Sequence, residues 1–285
     1  MALHKPPSEV KMGFVDGMFK KELLNRLIGS VFVLVGIVGG ILLGGWPWAF
    51  IASAIALGSL WELYKILSTK YRLSIAWGMT GAIVLLLSVS FGLSYSVTLS
   101  VIAMVAFLVL FTEVVRRQNT GRSYALWNLG GTLCGLIYVV LPWSFLIVIR
   151  SQTWGYVFLL TIFFCTWSCD VGAYLVGTRF GRTPFCRKVS PKKTWEGFWA
   201  GVCASILCGA ALALPFEFPP MPLVLLGAIC GIAGQFGDLA ESVLKREANI
   251  KESGKVIPGH GGFLDRFDSI LVNATIAFFV FEVIG

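Results

Sequence analysis

Apolar residues in this chain come in long blocks separated by short polar or charged stretches, and the blocks fall at 27–45, 48–67, 74–91, 97–115, 125–149, 154–177, 197–214, 222–244 and 269–284. A helix rises about 1.5 Å per residue, so roughly 20 apolar residues cross the hydrocarbon of a bilayer. Each block therefore predicts a membrane helix, the shorter ones near the lower limit for a full crossing. The first block is too long for the apolar core of a signal peptide and passes straight into the second, which predicts a retained helix. The fold expected is all-α: a polytopic integral membrane protein of about nine transmembrane helices. Its organisation divides into five N-terminal membrane spans over 1–150 and a C-terminal catalytic membrane region over 151–285, with four spans and two polar loops, 178–196 and 245–268.

Composition agrees with this picture, since 56% of the residues are hydrophobic and only 13% charged. The formal charge of +8 would suggest nucleic acid in a soluble protein, but no basic patch is interleaved with aromatics, and no nucleic-acid partner is expected. The placement of the basic residues says more. With nine spans and a cytoplasmic N-terminus, 22 of the 23 Lys and Arg fall on the cytoplasmic side and only Arg150 on the other. That asymmetry sets the expected orientation, in the cell's inner (plasma) membrane with both polar loops facing the cytoplasm. Seven cysteines lie mostly inside apolar blocks without a Cys-x-x-Cys, and only two histidines are present, so neither a zinc site nor a disulfide framework is expected.

Charges inside a bilayer are costly, about 2.5–3.5 kcal/mol each at its centre. Six acids nevertheless lie within or at the edges of the blocks: Glu62, Glu113, Asp170, Glu196, Asp238 and Glu241. Glu62 with Lys65, and Glu113 with Arg116 and Arg117, have the spacing of interfacial ion pairs. Asp170 has no basic neighbour nearer in sequence than Arg179, which makes it a candidate for a shared polar site.

The densest set of charges runs from Gly237 to Asp268. On a helix continuing the block before it, Asp238, Glu241, Ser242 and Lys245 are spaced i, i+3, i+4 and i+7 and share one face. Arg246 follows, then a loop whose glycines, Gly261 and Gly262 among them, flank His260 and can bring backbone N–H groups close to phosphate oxygens. Asp265, Arg266 and Asp268 come next. Carboxylates between bases beside a glycine-rich turn suit Mg2+ and a polyphosphate, the acids taking the metal and the bases taking phosphate charge. In the other polar loop, Ser190-Pro191 reads as an N-cap with proline at the first helical position, which would aim free N–H groups, Lys192 and Lys193 at an anion.

These two stretches together resemble the phosphatidate cytidylyltransferase (CDP-diacylglycerol synthase) family. The resemblance rests on Ser242, Lys245-Arg246, Lys251, Pro258, His260-Gly261-Gly262, Asp265-Arg266 and Asp268, with Asp170-x-Gly-Ala-Tyr174 and Ser190 to Gly197 beside them. Glu252 stands where the family pattern has Asp. The resemblance is specific over roughly 160–285 and reduces to Trp61-Glu62-Leu63-Tyr64 before that. It implies transfer of CMP from CTP to phosphatidic acid in the lipid bilayer, with Mg2+ and, in some members, a second cation. On this basis Asp238 and Asp265, then Asp268 and Asp170, are the expected metal ligands. Lys192, Lys193, Lys245, Arg246 and Arg266 would hold phosphates and His260 would position phosphate or nucleotide. A CTP-dependent polyprenol kinase, a CDP-ether-lipid synthase and, more distantly, a cation transporter are the alternatives. A homodimer is compatible with the composition, but no unbroken small-xxx-small face argues for one.

Overall fold

The computed structural model describes residues 29, 31–250, 253, 254 and 262–284. Every apolar block becomes a helix: α1 (Val31–Leu43), α2 (Gly45–Ser68), α3 (Ile75–Ser90), α4 (Tyr95–Thr120), α5 (Ala125–Gly135) running through a π-helical segment (Leu136–Val140) into α6 (Leu141–Ser151), α7 (Gly155–Phe180), α8 (Trp195–Leu212), α9 (Pro220–Glu247) and α10 (Leu264–Ile284). Among the described residues six helices, with α5 and α6 taken as one, are long and apolar enough to cross a membrane, while α1 and α3 are shorter apolar helices. The protein is an all-α, multi-pass membrane protein apart from one small hairpin between α7 and α8, formed by β1 (Pro184–Cys186) and β2 (Ser190–Thr194).

Local sequence explains the joints. Gly44 and Gly45 both adopt positive φ, 65° and 48°, which lets α1 fold straight back into α2. At the other side of that turn the Arg150 guanidinium donates to the carbonyls of Ile41 and Leu42, so this arginine caps α1. Pro142 has no N–H to offer the carbonyl four residues back, and the helix widens into its π segment directly ahead of it.

One apolar core, with Trp48, Tyr64, Trp143, Phe163 and Phe267 fully buried, runs from α1 to α10. Lipid is as apolar as leucine, so packing of small residues and buried polar ties hold such helices together. Helices α8 and α9 meet backbone to backbone: a Cβ on Gly227 would lie 2.6 Å from the Ser205 carbonyl oxygen. Ser205 donates to the Gly227 carbonyl (2.7 Å), and the Gln235 amide donates to the carbonyls of Phe198 and Gly231 (3.1 and 2.9 Å). Asn273 of α10 reaches Thr166 of α7 (2.8 Å). These bonds satisfy groups that would otherwise cost several kcal/mol each in hydrocarbon.

Two local expectations are corrected. Ser190-Pro191 does not cap a helix: both residues lie in β2, and α8 begins at Trp195 with the Thr194 hydroxyl accepting from Gly197 N (3.2 Å). Glu62 does not pair with Lys65, whose ammonium sits over the Trp61 ring 5.1 Å from its centroid. Glu113 does pair with Arg116, and it also accepts from Asn128 and from the Tyr124 N–H.

Candidate active site

Three elements bring the predicted residues together. Helix α9 holds Asp238, Glu241 and Lys245 on one face, as their spacing requires; Ser242 donates to Asp238 across one turn (3.4 Å), and Lys245 meets Glu241 the same way (2.7 Å). The hairpin carries Lys192 and Lys193 and is held by Phe185, whose ring packs on Trp195, Phe198 and Phe236. The N-terminal end of α10, which precedes its apolar span 269–284, supplies Asp265, Arg266 and Asp268.

All three meet at one cavity of about 840 Å³, within the range of small-molecule sites. Its polar part is lined by Asp170, Asp238, Glu241, Asp265 and Asp268 together with Lys192, Lys193, Lys245 and Arg266. Its apolar part is lined by Val33 and Leu34 of α1, Trp167 and Val171 of α7, and Phe198 of α8. Carboxylates, cations and helix-borne apolar side chains in one wall make a site for a molecule with an anionic head and an apolar body.

The ion pairs divide the carboxylates into two kinds. Lys193 is held 2.7 Å from Asp238 and donates to the Gln235 carbonyl (3.2 Å). Lys245 bridges Glu241 and Asp265 at 2.7 Å each. The other oxygen of Asp265 accepts from the N–H groups of Ser253 (2.9 Å) and Gly262 (3.0 Å). Burial alone would push the Asp265 carboxyl up, but Lys245 and those two N–H groups outweigh it and hold the group at about 2. Asp265 is thus fully engaged with this chain. Asp268 differs: burial and the neighbouring Asp238 carboxylate push it up to about 6, against the bond from Ser269 N. Asp170, Asp238 and Asp268, from α7, α9 and α10, all line this one cavity.

That crowding bears on metal binding. Among the described residues no three Asp, Glu, His or Cys side chains are drawn together as a formed metal site. The donor set nonetheless fits a hard divalent cation, since Asp170, Asp238 and Asp268 offer carboxylate oxygens to one cavity and, among the described residues, only Asp238 of the three is held by a lysine, Lys193. Asp265 carries three donors, two of them backbone N–H groups fixed in the fold, whereas Asp238, 40% exposed, has among the described residues only the Ser242 hydroxyl and the Lys193 side chain.

Other predicted residues fall elsewhere. Arg246 is exposed in the last turn of α9, and Ser190 and Gly262 lie outside the cavity wall, Gly262 buried beneath it. His260 and Gly261 lie outside the described residues. Two residues not assigned to the site belong with it. Glu241, 1% exposed, is readable from its place between Asp238 and Lys245. Glu62 accepts from the Leu264 N–H (2.9 Å) and the Ser253 hydroxyl (3.3 Å), contacts 202 and 191 residues away that no local spacing signals.

The cytidylyltransferase family model matches residues 24–284. The chain is 30% identical over 268 residues to the phosphatidate cytidylyltransferase of Bacillus subtilis, covering 91% of this chain and 97% of that protein. It is 32% identical over 252 residues to the enzyme of the same name from Staphylococcus aureus, covering 86% and 94%. A third relative, phosphatidate cytidylyltransferase 5, chloroplastic, of Arabidopsis thaliana, is 32% identical over 282 residues, covering 85% of this chain and 67% of its own.

Proposed function

From the premise that this chain belongs to the cytidylyltransferase family, we propose that its cavity joins CTP to phosphatidate at the membrane edge, giving CDP-diacylglycerol and pyrophosphate. The protein is a nucleotidyltransferase, and near-complete coverage of the Bacillus enzyme supports the phosphatidate reading over a polyprenol kinase or a transporter. The observation that carries it is the cavity's composition: four cations and five carboxylates beside an apolar wall reaching α1, α7 and α8. One substrate is a lipid with a phosphate head and the other a soluble triphosphate, and such a pair needs all of these at once.

In this reading a phosphate oxygen of phosphatidate attacks the α-phosphorus of CTP. A new P–O bond forms and the bond to the β-phosphate breaks, with the electron pair leaving on pyrophosphate. Lys192, Lys193 and Arg266 neutralise phosphates as the two anions approach, which is orientation and charge work rather than covalent catalysis. Lys245, fixed between Glu241 and Asp265, presents its charge without reorganising. Asp170, Asp238 and Asp268 would hold a divalent cation, for which we propose Mg2+; when bound it supplies further neutralisation of phosphate charge. His260 and Gly261 are assigned by their motif to phosphate or nucleotide positioning, and Ser190 to carrying the lysine-bearing strand. Arg246 and Ser242 are placed as supports, the first for an incoming phosphate and the second for Asp238. The four C-terminal spans carry the charged groups of this chemistry, and the five N-terminal spans scaffold it, α1 adding Val33 and Leu34 to the apolar wall.

Purified protein is expected to release pyrophosphate from CTP only when phosphatidate is present, to stop with excess chelator and to resume with Mg2+. Release independent of lipid would contradict the reading. We further propose that the site faces the cytoplasm across the inner membrane. In a background lacking the seven native cysteines, Gln152→Cys is expected to react with an impermeant thiol reagent on intact cells, and Lys188→Cys only after lysis. The reverse pattern would put the cavity on the side without CTP.

A further inference from the structure

Glu62 is a carboxylate in a membrane helix, 3% exposed, on an element that supplies no residue to the cavity wall. Burying such a group costs several kcal/mol unless bonds are returned to it. Its natural neighbour, Lys65, turns instead to Trp61. What Glu62 receives comes from the far end of the chain: one oxygen accepts from Leu264 N (2.9 Å) and Ser253 Oγ (3.3 Å). The other has no partner among the described residues and lies against Gly254, where a Cβ would stand 2.7 Å from it. A Cβ on Gly262 would approach the bonded oxygen to 2.3 Å, and one on Gly58, a turn earlier in α2, would meet the Phe263 ring at 2.9 Å. The backbone on both sides of the 255–261 segment is thus seated directly on α2.

The same backbone is gripped from the opposite side. Ser253 N and Gly262 N both donate to one oxygen of Asp265, whose other oxygen holds Lys245. Ser253 and Gly262 are therefore clamped between two carboxylates, Glu62 from α2 and Asp265 from α10, and the order of contact runs from Glu62 through the loop ends to Asp265 and then to Lys245. An apolar residue at 62 could fill the space but could not accept from Leu264 N and Ser253.

We infer that Glu62 is a positioning residue for the transfer reaction, fixing both ends of the loop between α9 and α10 and, through them, Asp265 and Lys245. The inference rests on the proposed function for its kinetic consequence, but the clamp itself can be tested without substrate. Glu62→Ala removes both acceptors, while Glu62→Gln keeps one oxygen and the shape. In folded protein purified to a single species, Glu62→Ala is expected to lower kcat about 30- to 100-fold, the scale of a misplaced catalytic group. The KM for CTP should stay within about threefold, because the phosphate-binding lysines of the hairpin are untouched. Glu62→Gln should recover kcat to within about fivefold of the parent.

Trypsin supplies the second readout at Lys255, which lies between the clamped residues Ser253 and Gly262. Cleavage there should quicken about tenfold or more in Glu62→Ala and little in Glu62→Gln, since proteolysis tracks the population of opened segment. Parental kcat in Glu62→Ala, or a loss of activity that follows only the folded fraction with unchanged cleavage, would overturn the inference. Were the parent itself inactive with phosphatidate, the proposed reaction would fail, and the cleavage comparison would still decide whether Glu62 clamps the loop.

Discussion

Asp238→Asn is expected to lower turnover by at least about 10²- to 10³-fold, the scale of losing one preorganised electrostatic contact in a closed site, while the protein still inserts and purifies as the parent does. The carboxylate is 40% exposed and its partner Lys193 22% exposed, so their pair behaves as a partly solvated one worth about 0–1 kcal/mol. Removing the charge keeps the shape of the side chain and its bond from Ser242. Stability is therefore nearly unaffected, whereas one of the three carboxylates proposed to hold the cation is lost and Lys193 loses the group that aims it. Measuring CTP-dependent transfer beside an apparent thermal midpoint separates the two effects, and activity near the parental level would remove Asp238 from the site.

Lys245→Met is expected to fail on both counts, for different reasons. Glu241 is 1% exposed and Lys245 is its ion-pair partner. Deleting one member of a buried pair leaves an uncompensated charge and typically costs about 3–5 kcal/mol. Lys245→Met should therefore lower the apparent thermal midpoint markedly and abolish transfer. Adding Glu241→Gln removes the more deeply buried of the two carboxylates that Lys245 bridges, while Asp265 keeps the N–H groups of Ser253 and Gly262, so the double variant should regain most of the midpoint and none of the activity. Recovery of both together would mean that Lys245 acts only as a structural counter-ion.

Much of this architecture could be read from the chain because a bilayer leaves little freedom. Backbone groups in hydrocarbon must bond within the segment, so long apolar blocks can only become helices, and each of the nine does. The face shared by Asp238, Glu241, Ser242 and Lys245 was legible for an equally local reason, the helical repeat. Convergence of that face with Lys193 and Asp170 is a tertiary fact, and here the resemblance supplied what spacing could not.

The misreadings share a cause. Ser190-Pro191 has the form of a helix start, yet among the described residues the β1–β2 sheet has two strands and no third to need the missing N–H of Pro191, so proline is tolerated there. Thr194, four residues on, takes the capping role. Glu62 and Lys65 have the i, i+3 spacing of an ion pair, but the chain's far end offers Glu62 backbone and hydroxyl donors inside the protein. Asp265 is a different case, a residue whose place among charges suggested a metal ligand and whose partners spacing did not signal. The fold adds that Ser253, Gly262 and Lys245 bond its oxygens.

The central claim is that the nucleotide, and not a bare phosphate, reaches the lipid, and CTP labelled separately at its α- and γ-phosphates tests it most directly. With purified protein, Mg2+ and phosphatidate, the account predicts that α label enters the organic phase while γ label stays in aqueous pyrophosphate. Gamma label extracted into the organic phase, with α label left in the water, would contradict it.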